Sequence, residues 1–269
     1  MAASPYQPYC GEPPDPGTVW SHWRLDPTVL ILLAAVAIGY GIAYARVRVP
    51  DAGNPGLRRR ARCFAAGWLL LTLGLVSPLC PLSVALFAAR ATQHVLLSAL
   101  AAPLVALGRP LALVAQACAW RGPTIPCRPL PASAAFALAI WLWHLPGPYA
   151  ATFASTAAYW AMHVTLFTSA LWLWRSLLDR EAPLVASLFA GTASAMQMGF
   201  LGALITLAPH ALYPPHFLST DPWSLSPLQD QQLGGAIMWV VGCSAFFAVA
   251  MLGLARVLAP HDARAVRSH

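Results

Sequence analysis

Apolar residues gather into seven long runs separated by polar, proline-rich or arginine-bearing stretches. They cover approximately 28–46, 63–80, 91–108, 131–149, 158–178, 183–208 and 233–257. Each is near the roughly 20 largely apolar residues that cross a hydrocarbon core. In the fourth run the strongly apolar part extends only from Ala132 to Leu145, and a further apolar stretch, Leu111–Trp120, is short enough to predict an interfacial helix. The pattern predicts an all-α, polytopic membrane protein: a bundle of seven transmembrane helices over 28–258, preceded by an extracytoplasmic segment (1–27) and followed by a cytoplasmic tail (259–269).

Composition agrees with the pattern. The chain is 58% hydrophobic and 9% charged, with a mean hydropathy of +0.61, whereas about a quarter of residues in soluble domains are charged. There is no lysine, and the arginines fall unevenly. Arg46, Arg48, Arg58, Arg59, Arg60 and Arg62 lie in the first loop. Arg109, Arg121 and Arg128 lie in the third loop, Arg175 and Arg180 in the fifth, and Arg256, Arg264 and Arg267 at the C-terminal end. Only Arg24 and Arg90 fall opposite. The positive-inside rule then puts the N-terminus outside and the C-terminus in the cytoplasm of a multi-pass cytoplasmic (inner) membrane protein. The net charge of +7 is explained by this bias, so the predicted partner is the lipid bilayer and no nucleic acid. The first 27 residues lack the basic n-region of a signal peptide, and their Trp20 and Trp23 suit a headgroup layer.

Packing signals support one bundle. Gly191, Ala195, Gly199 and Ala203 form a small-residue ridge on the sixth run, Gly234, Met238 and Gly242 line one side of the seventh, and Pro78 and Pro103 predict bends. The six cysteines form no C-x-x-C pair and predict no disulfide framework, although Cys10 and Cys80 share the outer side and could pair or touch a metal. Retinal chemistry is excluded by the missing lysine. Every Asp and Glu lies in a loop, a tail or a span end, which argues against a proton pump.

His94, His144 and His163 sit near the ends of three successive runs, all within roughly 3–8 Å of the same outer boundary at 1.5 Å rise per residue. Intramembrane ionisable residues are costly and usually functional, and neutral imidazole ligates copper, zinc or iron. The three histidines are therefore the predicted metal ligands. Met162 and Met238 are candidate soft supporting ligands, with Met196 and Met198 deeper. His22, His210 and His216 read as solvated segment and loop residues. Asp230, followed by Gln231, enters the seventh run either as a helix cap or as a partner orienting a histidine ligand.

Several segments carry a resemblance. Ser226-Pro-Leu-Gln-Asp-Gln-Gln-Leu-Gly-Gly-Ala-Ile-Met-Trp239, Ser77-Pro78-Leu79, Gln93-His94 followed by Ala102 to Pro110, Trp143-His144-Leu145-Pro146, Ala208-Pro209 and Leu212-Tyr213-Pro214 resemble CtaG-type cytochrome c oxidase assembly factors. The resemblance implies a non-enzymatic, metallochaperone-like assembly factor that helps mature the copper centre of a haem–copper oxidase. Its implied partners are an oxidase subunit and a periplasmic copper donor, its cargo is transient copper, and Gln93 is implied beside the ligands. The chain departs from the family where Arg90 and Tyr159 replace histidines four residues before His94 and His163, so one member of each i, i+4 pair remains and a cation stands close by. Two alternatives use the same residues differently: a b-type haem electron carrier with two axial histidines, and a ligand-free assembly scaffold. No nucleophile motif, phosphate loop or metalloprotease signature points to catalysis.

Overall fold

The computed structural model describes residues 8–48, 54–120, 126–179, 181–248 and 251. It is 79% helix, with no strand among the described residues. The 259–269 tail and the end of the seventh run lie outside them.

Helices α1 (Pro27–Arg48) and α2 (Pro55–Val76) form a hairpin. Asn54 caps α2, its side chain accepting from Gly56 N and Leu57 N ahead of Pro55 at the helix start. At Ser77–Pro78 the chain turns by 47° into α3 (Leu79–Ala85), which is the bend predicted at Pro78. After an extended Leu86, α4 (Phe87–Val95) starts four residues earlier than the apolar run suggested. Residues Leu96–Ala101 take the wider π winding before α5 (Ala102–Gly108). Pro103 explains this winding, because its ring crowds the carbonyl one turn back and it donates no N–H. A left-handed Arg109 (φ 49°) leads into α6 (Pro110–Ala117). This short stretch joins one apolar helical run from Phe87 to Ala117 instead of standing apart.

The predicted fourth span is two helices. α7 (Pro129–His144) stops at Leu145, held extended before Pro146, and the chain turns by 72° into α8 (Pro146–Ala154). α9 (Thr156–Leu177) is capped by Ser155, and α10 (Leu184–Thr206) follows. α11 (Pro227–Ile237) opens with a reciprocal Ser226–Gln229 capping box and passes into a second π segment, Met238–Gly242. By length and composition four of the described helical stretches can cross a membrane, or six when each bent pair counts as one.

Large apolar side chains such as Leu138 (73% exposed) and Val185 (80%) face outward, as suits a hydrocarbon surround in which the backbone is satisfied internally. α10 and α11 approach closely at Gly202, where a Cβ would lie 2.6 Å from Trp239 N and 2.8 Å from Gly235 O, and at Gly235, where one would run into Thr206. The predicted ridge is thus shifted: Gly199 faces the Trp239 ring, but the close backbone approach on α10 is at Gly202, one residue before Ala203. The main core includes Phe87, Phe136, Ile140, Tyr149, Tyr159 and Trp174, and it surrounds the three histidines. A second core, with Tyr40, Phe64 and Leu113, ties α1 and α2 to α5 and α6.

Candidate metal site: three histidines beside a buried arginine

The bundle brings the predicted ligands together. His94 lies in the last turn of α4, His144 ends α7, and His163 lies in the second turn of α9. The His94 ring is 5.6 Å from that of His144 and 5.8 Å from that of His163, edge to face in both cases. All three are at most 5% exposed. Imidazole nitrogens sit about 2 Å from a bound metal, so rings sharing an ion have centroids roughly 5–6.5 Å apart. Each pair containing His94 meets that spacing. The triple does not close on one point: among the described residues, no group of three or more His, Cys, Asp or Glu is placed to hold an ion.

Two rings have fixed tautomers. His144 Nδ1 lies 2.7 Å from Ile140 O and His163 Nδ1 3.1 Å from Tyr159 O. A carbonyl only accepts, so both Nδ1 atoms carry the proton and both Nε2 atoms keep a lone pair. His163 Nε2 and both ring nitrogens of His94 are buried with no hydrogen-bond partner among the described residues. Buried polar nitrogens are rarely left so. A small void with room for about one water lies against His94, Ser98 and His163.

Arg90, one turn before His94, is 1% exposed. Its Nη1 donates to Thr152 Oγ1 at 2.6 Å, and its guanidinium lies 4.1 Å from the Phe153 ring centre and 5.3 Å from that of Tyr149. Nε and Nη2 are unpartnered, and no carboxylate pairs with Arg90 among the described residues. The cradle comes from α8, the part beyond the unforeseen bend. An i, i+4 aromatic pair (Tyr149, Phe153) spanning a threonine is the signal that could have suggested it.

The supporting residues behave differently from one another. Among the described residues Asp230 bonds to no histidine, and the cap of its own helix is Ser226. Its carboxylate accepts from Phe87 N at 2.6 Å and Ala88 N at 3.0 Å, capping α4, the helix that carries Arg90 and His94. Gln231 bridges the α10–α11 connection, accepting from Leu212 N and donating to Ile205 O and His210 O. Gln93 Nε2 donates to Gly74 O, tying α4 to α2, while its Oε1 is unpartnered. Met162 and Met238 are buried in the main core, and Met196 is 69% exposed.

One histidine and one cysteine pair depart from expectation. His216 is not a solvated loop residue: it is 2% exposed, its Nδ1 faces Ala85 O, and its Nε2 accepts from Tyr149 OH at 2.6 Å. Burial, with Arg90 adding to it, pushes its pKa down to about 3. Cys10 and Cys80, distant in sequence, form a disulfide with Cα atoms 5.5 Å apart. The Tyr159 hydroxyl lies 3.3 and 3.5 Å from the two sulfurs, and the Tyr159 ring lies 4.3 Å from that of His163. Tyr9 stacks on Tyr159 at 4.8 Å, so the N-terminal segment closes this end of the site.

No curated protein and no solved structure matches the chain. The family described as cytochrome c oxidase caa3 assembly factor (Caa3_CtaG) matches residues 38–259, a stretch that includes α4, α7 and α9 with all three histidines. The chain belongs to the caa3-type cytochrome c oxidase assembly factor family.

Proposed function

We propose that this membrane protein helps mature the copper centre of a haem–copper oxidase, taking copper as cargo at His94, His144 and His163. One observation carries the reading: His94 is buried with neither ring nitrogen partnered among the described residues, beside two imidazoles whose Nδ1–H bonds to backbone carbonyls leave the lone pair on Nε2. The pairwise spacing suits an ion shared by two imidazoles, an arrangement open to Cu(I). Asp230 supports the site through α4, and the methionines contribute packing.

The reading includes seven spans, an outer N-terminus and an inner-membrane location. The arginine bias supports that orientation, and a Cys10–Cys80 disulfide belongs on an oxidising face. The histidines then lie at the end of the bundle nearest the compartment where a copper donor and the oxidase subunit would meet. An axially ligated haem finds little support, since the void beside His94 and His163 has room for about one water.

The test is copper content after anaerobic Cu(I) loading of the purified protein, wild type against the His94→Ala/His144→Ala/His163→Ala variant, with an absorption spectrum of each. Retained copper in the wild type and its loss in the variant, without a Soret band, support the reading. Equal copper in both overturns it, and oxidase assembly that survives loss of the three side chains favours a ligand-free scaffold.

A further inference from the structure

Neither the histidine reading nor the family description uses Cys10 and Cys80. We propose that they form a thiol–disulfide exchange site whose reduced form is a second, soft-metal site, taking one Cu(I) between two thiolates beside the histidines. The inference deepens the copper reading and rests on it for the identity of the cargo.

The placement is specific. Cys80 is the second residue of α3 and Cys10 sits in the irregular segment over the rim, joined across 70 positions of sequence. Both sulfurs flank one hydroxyl, that of Tyr159. The same Tyr159 supplies the carbonyl that fixes His163 and the ring that lies on it. The cysteine pair and the histidine cluster are therefore separated by a single side chain.

Chemistry favours a monovalent soft ion. Two-coordinate Cu(I) holds its thiolates roughly 4.5 Å apart, twice a metal–thiolate bond of about 2.3 Å. Side-chain rotation provides this with Cα atoms 5.5 Å apart. A bis-thiolate Cu(I) complex carries one net negative charge. Arg24 lies over the Tyr9 ring that stacks on Tyr159, and Arg90, one turn before His94, is buried with Nε and Nη2 unpartnered and no carboxylate beside it among the described residues. A bare cation is opposed by Arg90, whereas an anionic complex is matched by it.

The redox step needs a dithiol partner. One partner thiolate attacks Cys10 Sγ, the Cys10–Cys80 bond breaks, and Cys80 leaves as a thiolate. The second partner thiol then attacks the mixed disulfide and releases Cys10, so the partner ends as a disulfide and two electrons pass to the pair. The piece that must lift is short. Cys10 is followed by Gly11 at φ 91°, and the segment is tied to the rim by Tyr9–Asp26, Trp223–Pro14 and Arg24–Val76 hydrogen bonds.

The experiment compares Cu(I) bound per full-length chain in detergent, competed against a chromogenic Cu(I) chelator, before and after reduction with a phosphine. Wild type is expected to rise from about one ion to about two on reduction. Cys10→Ser/Cys80→Ser should stay at about one in both states, and the triple histidine variant should show only the reduction-dependent ion. Equal binding by oxidised and reduced wild type overturns the proposal while leaving the histidine reading intact. An oxidised wild type that binds nothing, with an ion appearing on reduction, overturns the histidine reading instead. Helical circular dichroism is recorded alongside: its loss on reduction makes the disulfide a structural staple and also overturns the proposal.

Discussion

The Asp230 carboxylate accepts the Phe87 backbone N–H at 2.6 Å, across 143 positions of sequence. A residue at the start of α11 thereby fixes the start of α4, the helix that presents His94. Ser226 and Gln229 already cap α11, which leaves Asp230 free for this role. Asp230→Ala should lower stability by about 1–3 kcal/mol, because it strands two buried N–H groups. Asp230→Asn, which keeps one acceptor, should cost less. Thermal unfolding in detergent checks the order, and equal stability of the two variants would contradict it.

His94 is the shared neighbour of the other two rings. His94→Ala should therefore weaken Cu(I) binding most, by at least about 1.4 kcal/mol, or tenfold, beyond either His144→Ala or His163→Ala. Competition titrations rank the three, and a weakest effect at His94 would remove it from the centre.

Arg90 stands one turn before His94 as a buried cation with no carboxylate partner among the described residues. Arg90→His should raise affinity at the histidines by about tenfold, both by removing charge and by restoring an i, i+4 pair. Arg90→Met separates the two causes, since it removes only the charge. A fall in affinity with either variant would show that the arginine assists the ion.

Gly202 and Gly235 set the α10–α11 contact. Gly202→Ala places a methyl against backbone atoms that cannot step aside, so a loss of about 1–3 kcal/mol is expected. Gly147, with open space around its Cβ position, serves as the control. Comparable losses at both sites would show that close approach is not the cause.

At the arginine-rich end, the Cys127 thiol, the Glu181 N–H and Arg175 hold the Asp179 carboxyl down to about 2. Its folded pKa lies below its unfolded one, so the stabilisation is present above about pH 4 and is lost as pH falls toward 2. Asp179→Asn should cost about 1 kcal/mol at neutral pH and flatten stability across that window. Unfolding curves between pH 2 and 6 provide the measurement.

Hydropathy located the helices because lipid-facing side chains must be apolar, and equal depth brought His94, His144 and His163 to one level before any packing was known. The rest depended on contacts between distant parts of the chain. Asp230 reads locally as a cap, and only the packing of α11 on α4 reveals which helix it caps. His216 sits among loop residues, yet Tyr149 and Ala85 enclose it. Pro146 marked the end of α7, but the apolar residues after it resembled more of the same span until the chain turned.

The widened turns at Leu96–Ala101 and Met238–Gly242 give the chain slack. Such a turn holds one residue more than the α winding needs. Deleting one residue inside Leu96–Ala101 would let the helix rewind into regular turns and absorb the loss locally, whereas a deletion in α9 would rotate everything beyond it by about 100°. Length tolerance in this chain is therefore concentrated just beyond His94, where a naturally shorter or longer relative could differ without disturbing the site.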